Sequence, residues 1–269
     1  MNRCKIKGIL IGRDYPVRLM GVINCSPESF YHGSYVREGS VRSRAEEMIG
    51  AGADLIDIGA RSTAPGSPNV SKKVEAGRLD QALTELDGSG IPVSVDTMFP
   101  AVLEHCLGHD VHAANDISGL VNPRYARIVA DAGLPAILMA SHREPGDATT
   151  RIGTGSALQL VINRCADAGI TNYILDPGIG LWTHKRTTAL DWELCSHFEE
   201  FTRFDHPLLA AVSRKTFLGE PENRPPEGRL AASLGLTALL IAKGADVVRT
   251  HDIPETADVI RTIGRVVNR

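Results

Sequence analysis

The sequence predicts a (β/α)₈ TIM barrel that forms a single domain over residues 1–269. Eight short runs of apolar, often β-branched residues recur along the chain, as expected for parallel strands that are covered on both faces. Segments that suit amphipathic helices lie between most of these runs, and no linker-like stretch separates them. Eight β–α units in 269 residues match a closed barrel better than an open doubly wound sheet. A G-x-G-x-x-G fingerprint after the first strand is also absent.

The predicted strands are 18–24, 54–59, 92–97, 112–118, 136–140, 172–177, 208–213 and 246–250. The clearest helices are 41–53, 100–110 and 123–134, and each ends near a glycine or an Asp-Ala-Gly turn. A Leu/Ala-rich helix is predicted over 230–245. It is most simply a helix that covers the barrel, and its lack of a polar face also suits a subunit interface.

Composition narrows the function classes. The formal net charge is -3 with no block of like charges, which disfavours nucleic acid or an anionic membrane as the main partner. Five scattered cysteines without a CxxC pair indicate reduced thiols, and the first residues lack the apolar run of a signal peptide. The most apolar segment is shorter than the roughly 20 residues that span a bilayer. We therefore expect a cytoplasmic protein.

Polar residues lie within, end or follow the predicted strands, near the carboxyl ends where the active sites of such barrels lie. They are Asn24, Asp57, Asp96, Asn115, Asp176, Ser213, Lys215, Arg249 and His251. Each has an ordinary structural interpretation when taken alone. Asp96 or Asp176 could cap a helix, Asp57 could satisfy a buried hydrogen bond, and Lys215 could lie in solvent. Their recurrence at equivalent positions favours one shared site.

The predicted site divides by chemistry. Arg249 and His251 offer donors for a phosphate or diphosphate. Asn24, on the neighbouring strand of a closed barrel, offers either a carbonyl oxygen for Mg²⁺ or an amide N–H for a ligand oxygen. The remaining ring of carboxylate, amide and ammonium groups suits a flat, nitrogen-rich heterocycle. Its members are Asp96, Asn115, Asp176 and Lys215.

Seven motifs, in order, resemble those of the dihydropteroate synthase family. They are LMGVINCSPESF, DIGARSTAPG, VSVDT, NDISGL, ILDPGIG, AVSRKTFLG and VVRTHD, and they cover almost the whole chain. The resemblance implies a TIM barrel that forms a homodimer. It also implies that 6-hydroxymethyl-7,8-dihydropterin diphosphate is joined to 4-aminobenzoate, with release of diphosphate and help from Mg²⁺.

The resemblance also implies roles for individual residues. Pterin-binding residues would be Asp96, Asn115, Met139, Asp176 and Lys215. Asn24, Arg249 and His251 would bind diphosphate, with Asn24 also near the metal, and Thr63 and Ser213 would receive the arylamine.

The chain departs from the usual bacterial pattern and looks like the archaeal branch of the family. Arg61 stands where the second motif usually has Glu, and Ala64 where it has Arg. Ala140 replaces a His, and Trp182 lies in an altered sixth loop, where it could cover a ligand or pack the loop. Arg61 could contact the phosphate of a ribosylated arylamine, as used in tetrahydromethanopterin synthesis. The competing interpretation is an ion pair with a nearby acid.

Two other functions stay open on the sequence. A pterin-dependent methyltransferase would use a related barrel, and a non-catalytic pterin-binding barrel would follow if the altered second loop abolished turnover. His105, His109 and His112 have a spacing that could suggest a metal, but they precede a strand at the catalytically quiet end. A solvated helix is the favoured interpretation of these histidines.

Overall fold

Eight parallel strands form a nearly closed barrel in the computed structural model, which describes residues 3–27, 35–62, 67–220 and 222–267. In chain order they are β3 (Arg18–Asn24), β4 (Leu55–Gly59), β5 (Val93–Asp96), β6 (Ala113–Asp116), β7 (Ala136–Met139), β8 (Tyr173–Asp176), β9 (Leu209–Ala210) and β10 (Val247–Thr250). The strand order is β8-β7-β6-β5-β4-β3-β10-β9, and a bridge between Leu175 and Leu208 links its two ends. The predicted (β/α)₈ barrel is confirmed.

Helices alternate with the strands. They are α1 (Val41–Gly50), α2 (Lys72–Leu86), α3 (Pro100–Cys106), α4 (Pro123–Asp131), α5 (Arg151–Ala168), α6 (Thr188–Ser196), α7 (Leu230–Ala242) and α8 (Ile253–Val267). The four helices named from the sequence end three or four residues early. Three of them stop just before glycines with positive φ, namely Gly52, Gly133 and Gly244. No helix in the described ranges is both long and apolar enough to cross a membrane.

An N-terminal hairpin, β1 (Cys4–Ile6) and β2 (Ile9–Ile11), was not predicted. Lys7 and Gly8 both have positive φ, at 44° and 88°, as a tight two-residue hairpin turn requires. Cys4, Ile6 and Ile11 are buried against the apolar layer inside the barrel. The hairpin therefore covers the amino-terminal end and leaves the carboxyl end for the site.

Side chains inside the barrel form an apolar layer beneath a polar one. The apolar layer includes Leu55, Ala113, Ile137, Ile174 and Val247. Since side chains two apart on a strand share a face, the residues two positions later also point inward. These are Asp57, Asn115, Met139, Asp176 and Arg249. Strand periodicity alone thus directs most of the predicted site residues to one end of the barrel.

Gly119 provides a test of packing beside this layer. A methyl group there would lie 2.4 Å from the Met139 carbonyl oxygen and 2.8 Å from Val161 Cγ2, at a φ of 62°. We expect Gly119→Ala to lower the free energy of unfolding by about 2–4 kcal/mol, because backbone strain and overpacking act together. Urea unfolding would measure the loss.

Gly133→Ala is the matched control, since Gly133 has the same φ of 62° with no atom within 4 Å of the added methyl. It carries only the strain, about 1–2 kcal/mol. Equal losses for the two variants would contradict the proposed close contact.

Candidate active site

The carboxyl ends of neighbouring strands place four predicted residues in two adjacent pairs. In the strand register Asp96 is opposite Asn115, and Met139 is opposite Asp176. Asn24 lies two strands from Asp96, with Gly59 between them. A methyl group on Gly59 would lie 3.6 Å from Asn24 Oδ1 and 3.8 Å from Asp96 Oδ2, so both oxygens border the space above this glycine.

Asp57 joins residues that the sequence assigned to different ligands. Its Oδ2 accepts hydrogen bonds from Arg249 Nε at 2.6 Å and from Asn115 Nδ2 at 3.0 Å. Arg249 Nη2 also donates to Asp96 Oδ2 at 2.8 Å. The side chain of Asp57 is fully buried, and these contacts agree with the structural interpretation of this residue. These contacts orient Arg249. Because the Asn115 NH₂ group donates to Asp57, the amide oxygen Oδ1 is the atom of Asn115 that can accept a hydrogen bond from a ligand.

Asp96 has an unusual acidity. Burial raises its pKa to about 7; the Arg249 guanidinium opposes the rise, whereas Asp57 and Glu75 add to it. A carboxyl group that titrates near neutral pH can donate or accept a hydrogen bond. Asp96 can therefore meet either kind of polar atom on a heterocycle.

Lys215 lies against the loop that follows β8. Its Nζ donates to the Ile179 carbonyl and sits 5.1 Å from the ring centroid of Trp182. Burial lowers the Lys215 pKa to about 8, opposed by Asp176. Trp182 Nε1 donates to the Gly178 carbonyl at 2.9 Å, so this tryptophan packs the loop and also lies beside the ammonium.

His251 is held as a neutral donor. Its backbone N–H donates to Ser213 Oγ at 3.2 Å, and Ser213 Oγ is 3.0 Å from His251 Nδ1. Burial and, after it, the nearby Arg249 guanidinium together lower the His251 pKa to about 3. Since the hydroxyl can donate to Nδ1, the proton of the neutral ring is assigned to Nε2. His251 thus offers a hydrogen bond rather than a positive charge.

Arg61 pairs with an acid, the alternative raised against its role as a phosphate contact. Arg61 Nε lies 3.2 Å from Glu75 Oε2, without hydrogen-bond alignment, and its guanidinium carbon is 4.8 Å from the Phe99 ring centroid. Glu75 is buried and accepts from Thr97 Oγ1 at 2.5 Å. Thr63, which was predicted together with Ser213 to receive the arylamine, lies outside the described residues.

Mg²⁺ has a modest set of protein oxygens available. Within the described ranges, no group of three His, Cys, Asp or Glu residues could hold a metal ion. Asn24 Oδ1 is a neutral oxygen at the strand end, of the kind that Mg²⁺ accepts when phosphate and water complete its shell. The donors therefore fit a cation that arrives with a diphosphate better than one held by protein alone.

The histidines that suggested a metal lie at the other end of the barrel. Helix α3 ends at Cys106, so His109, which the sequence placed in a helix over 100–110, lies beyond the helix. His109 Nδ1 is 2.8 Å from Asp87 Oδ2 and its Nε2 is 3.2 Å from Asp80 Oδ1, which also lies 3.0 Å from His105 Nε2. Ion pairs between α2 and the end of α3 thus account for His105 and His109.

This cluster predicts a pH-dependent contribution to stability. Partial burial lowers the His109 pKa, but its bonds to Asp87 and Asp80 outweigh burial and raise the pKa above the ordinary 6.5. The stabilisation is therefore complete below about pH 6.5 and is lost as pH rises through the higher folded-state pKa. We expect His109→Gln to lower the free energy of unfolding by about 1 kcal/mol or less at pH 6, and by a smaller amount at pH 9.

His105→Gln is the control, because the His105 side chain is 51% exposed whereas that of His109 is 13% exposed. Its effect should stay under about 0.5 kcal/mol at both pH values. Chemical unfolding of both variants at pH 6 and pH 9 measures these losses of unfolding free energy. A His109→Gln loss that is the same at both would argue against the charged pair.

The sequence did not point to three further charged residues near the site: Glu75, Arg186 and Asp191. Glu75 and Asp191 lie on helices, and Arg186 lies on the loop after β8, so none of them ends a strand. The paired glycines of PGIG, Gly178 and Gly180, were the available signal. Both glycines have positive φ, and such a backbone conformation indicates that nearby side chains hold the loop in place.

Comparisons with known proteins agree with this geometry. The family model described as "Pterin binding enzyme" matches residues 20–251. Dihydropteroate synthase of Bacillus subtilis (strain 168) is 32% identical over 256 residues, which cover 93% of this chain and 89% of the relative. That of Escherichia coli (strain K12) is 31% identical over 261 residues, covering 91% of this chain and 90% of the relative.

Solved structures agree as well. The dihydropteroate synthase of Yersinia pestis in complex with a sulfonamide drug has a TM-score of 0.89 at 30% identity, covering 99% of each chain. That of Coxiella burnetii in complex with pteroic acid has a TM-score of 0.86 at 29% identity, again covering 99% of each chain. The chain belongs to the pterin-binding enzyme family and is a dihydropteroate synthase-like transferase.

Proposed function

We propose that this chain condenses 6-hydroxymethyl-7,8-dihydropterin diphosphate with an arylamine and releases diphosphate. The observation that carries the proposal is the linked network at the carboxyl end of the barrel. Arg249, Asp57, Asp96 and Asn115 form one set of hydrogen bonds there. Ring recognition and leaving-group stabilisation can therefore take place side by side.

The pterin ring is bound by groups that complement its two edges. The carboxylate of Asp176, with Asn115 Oδ1, accepts from the amino and N–H groups of the ring. Lys215 donates to its carbonyl, and Asp96 meets ring nitrogens as donor or acceptor. Met139, which is 1% exposed, packs against the Gly178 backbone and forms part of the wall.

Departure of the diphosphate is the step that needs charge stabilisation. The methylene C–O bond breaks, its electron pair goes to the diphosphate, and positive charge is shared with the ring. Arg249 and the Nε2–H of His251 donate to the leaving oxygens, and preorganised donors of this kind lower such barriers. Mg²⁺ bound with Asn24 Oδ1 would neutralise part of the diphosphate charge.

The arylamine nitrogen then forms the C–N bond and gives up a proton to solvent or diphosphate. An aniline nitrogen is nucleophilic without a strong base, so positioning by Ser213 and Thr63 suffices. Two arylamine substrates fit this step: 4-aminobenzoate for folate synthesis and a ribosylated arylamine phosphate for tetrahydromethanopterin synthesis. The Arg61–Glu75 ion pair favours 4-aminobenzoate, since Arg61 already has an anionic partner.

The test supplies the dihydropterin diphosphate with Mg²⁺ and either arylamine, and follows diphosphate release. We expect turnover with 4-aminobenzoate and a lower kcat/KM with the ribosylated phosphate. A higher kcat/KM for the ribosylated compound would reverse the assignment of the acceptor. Arg61→Glu would then be expected to raise the KM for that compound while pterin binding stays unchanged.

Two outcomes would replace the proposal. Methyl transfer from a methylated tetrahydropterin, without diphosphate release, would indicate a pterin-dependent methyltransferase. Tight pterin binding without turnover of either arylamine would indicate a non-catalytic pterin-binding barrel.

We also propose a homodimer. Leu239, a large apolar side chain on the apolar helix α7, is 59% exposed, and we expect it to pack against a second copy of the chain. Sedimentation of the wild type and Leu239→Glu tests this. A dimer that Leu239→Glu dissociates is expected, and a monomeric wild type would contradict it.

A further inference from the structure

A buried ion pair joins Arg186, on the loop that follows β8, to Asp191, on helix α6. The side chains of Arg186 and Asp191 are 1% and 0% exposed, and Arg186 Nη2 is 3.5 Å from Asp191 Oδ1. Removing two charges from water is costly, and a buried pair often stabilises a fold less than apolar residues of similar volume would. Fold stability alone therefore does not explain why a charged pair is buried here.

Both members of the pair hold the backbone of the loop. Asp191 Oδ1 accepts from the Gly180 N–H at 2.7 Å. Arg186 Nη2 donates to the Gly178 carbonyl at 2.9 Å, and its Nη1 donates to the Ala148 carbonyl at 2.9 Å. Gly178 and Gly180 have φ values of 70° and 132°, so the loop adopts a conformation that an ordinary residue rarely takes.

The same loop forms the wall beside Lys215. The Ile179 carbonyl accepts a hydrogen bond from Lys215 Nζ. A methyl group on Gly180 would lie 2.9 Å from that Nζ, so the ammonium packs directly on the glycine backbone. The residues on both sides of Ile179 are therefore tied to the buried pair, and Ile179 itself is tied to Lys215.

We propose that Arg186 and Asp191 are positioning residues that fix residues 178–180 and thereby hold the Lys215 ammonium in the pterin site. Neither touches the substrate; both act through the loop and through their charges. The inference rests on the proposed function, because it takes Lys215 as a donor to the pterin carbonyl. It goes further by assigning a role to two buried residues that do not lie at strand ends.

The charges around Lys215 give the pair a measurable signature. Burial lowers the Lys215 pKa to about 8; Asp176 and then Asp191 oppose this effect, whereas Arg249 and Arg186 add to it. Cys195 and His251 also face Lys215, but their pKa values of about 12 and about 3 leave both neutral near pH 7. Without the charge of Asp191, the ammonium should be lost at a lower pH.

The experiment measures the affinity for 6-hydroxymethyl-7,8-dihydropterin between pH 6 and pH 9.5 by equilibrium titration. We expect the wild type to lose affinity with a midpoint near pH 8, and Lys215→Met to lack this step. Any step from Asp96, whose pKa is about 7, should stay in Lys215→Met and is thereby told apart from that of Lys215. Asp191→Asn keeps an acceptor for the Gly180 N–H but loses the charge. Its midpoint should fall by about one pH unit or more, which is about a tenfold weaker affinity above the wild-type midpoint.

Asp246→Asn is the control. Asp246 is a buried aspartate that accepts from the Leu208 N–H at 2.9 Å, just before β9 and β10 at the other end of the barrel. It should leave the midpoint unchanged, which separates a role at Lys215 from a general effect of removing a buried charge. The titration of the ligand itself is common to all proteins and cancels in the comparison.

Asp191→Asn leaves Arg186 without its carboxylate and could unfold the chain. The double variant Arg186→Met/Asp191→Leu replaces both charges with apolar groups, which folds usually tolerate. If Asp191→Asn does not fold, the double variant takes its place, with weaker binding at pH 6.5 as the expected result. Binding and midpoint equal to those of the wild type would overturn the inference. A wild type that binds no dihydropterin at any pH would overturn the proposed function itself.

Discussion

Asp176→Ala is expected to weaken dihydropterin binding roughly 30-fold or more, since truncating one partner of a buried, charged hydrogen bond costs about 2–5 kcal/mol. Asp176 ends β8, and its Oδ1 accepts from the Gly178 N–H at 2.7 Å. Burial raises its pKa, and the Lys215 ammonium opposes this. The alanine variant removes the acceptor for the donor edge of the ring. It also removes the carboxylate that does most to raise the Lys215 pKa.

Equilibrium titration with 6-hydroxymethyl-7,8-dihydropterin measures the effect, and thermal unfolding shows whether the variant stays folded. Asp54→Ala is the control, because Asp54 pairs with Arg18 at 3.1 Å at the amino-terminal end of β4, away from the site. It should lower stability without changing affinity. Affinity of Asp176→Ala within about threefold of the wild type would show that the pterin ring is bound elsewhere.

Arg249→Met should lower both stability and turnover. Arg249 is the cation between two carboxylates, 2.6 Å from Asp57 Oδ2 and 2.8 Å from Asp96 Oδ2. Removing it leaves buried negative charge, which costs about 3–5 kcal/mol of unfolding free energy. Turnover should fall by about 100- to 1,000-fold, as for the loss of one preorganised donor to a developing anion.

A second substitution separates the two effects. In Arg249→Met/Asp57→Asn, the fully buried carboxylate is removed, and Asp96, whose pKa is already about 7 beside Arg249, can take up a proton. Most of the stability should therefore return. Turnover should stay low, since the donor to the diphosphate is still missing. Urea unfolding and diphosphate release are measured on both variants. Recovery of turnover together with stability would make Arg249 a structural residue only.

Strand periodicity explains why much of the barrel and its polar end could be predicted. Ile174 is buried and inward, so Asp176, two residues later, points inward as well. The same spacing relates Ala113 to Asn115 and Val247 to Arg249. Local pattern was sufficient here because a closed parallel sheet leaves few choices for where such side chains go.

Side-chain partners were harder to foresee because they depend on residues far apart in sequence. Arg249 was assigned to the diphosphate, yet its hydrogen bonds run to Asp57 and Asp96, on the second and third strands of the barrel. Arg61 is paired with Glu75 on α2, and no motif marks that acid. The hairpin at Lys7 and Gly8 joins strands of three residues each, too short to show a period.

A crystal structure of the chain with 6-hydroxymethyl-7,8-dihydropterin diphosphate and Mg²⁺ would test the site most directly. We expect the pterin ring between Asp176, Asn115 and the Lys215 ammonium, with the diphosphate within hydrogen-bond distance of Arg249 and His251. A ring bound away from Asp176 and Lys215, or a diphosphate that contacts neither Arg249 nor His251, would contradict a single site at the carboxyl end of the barrel.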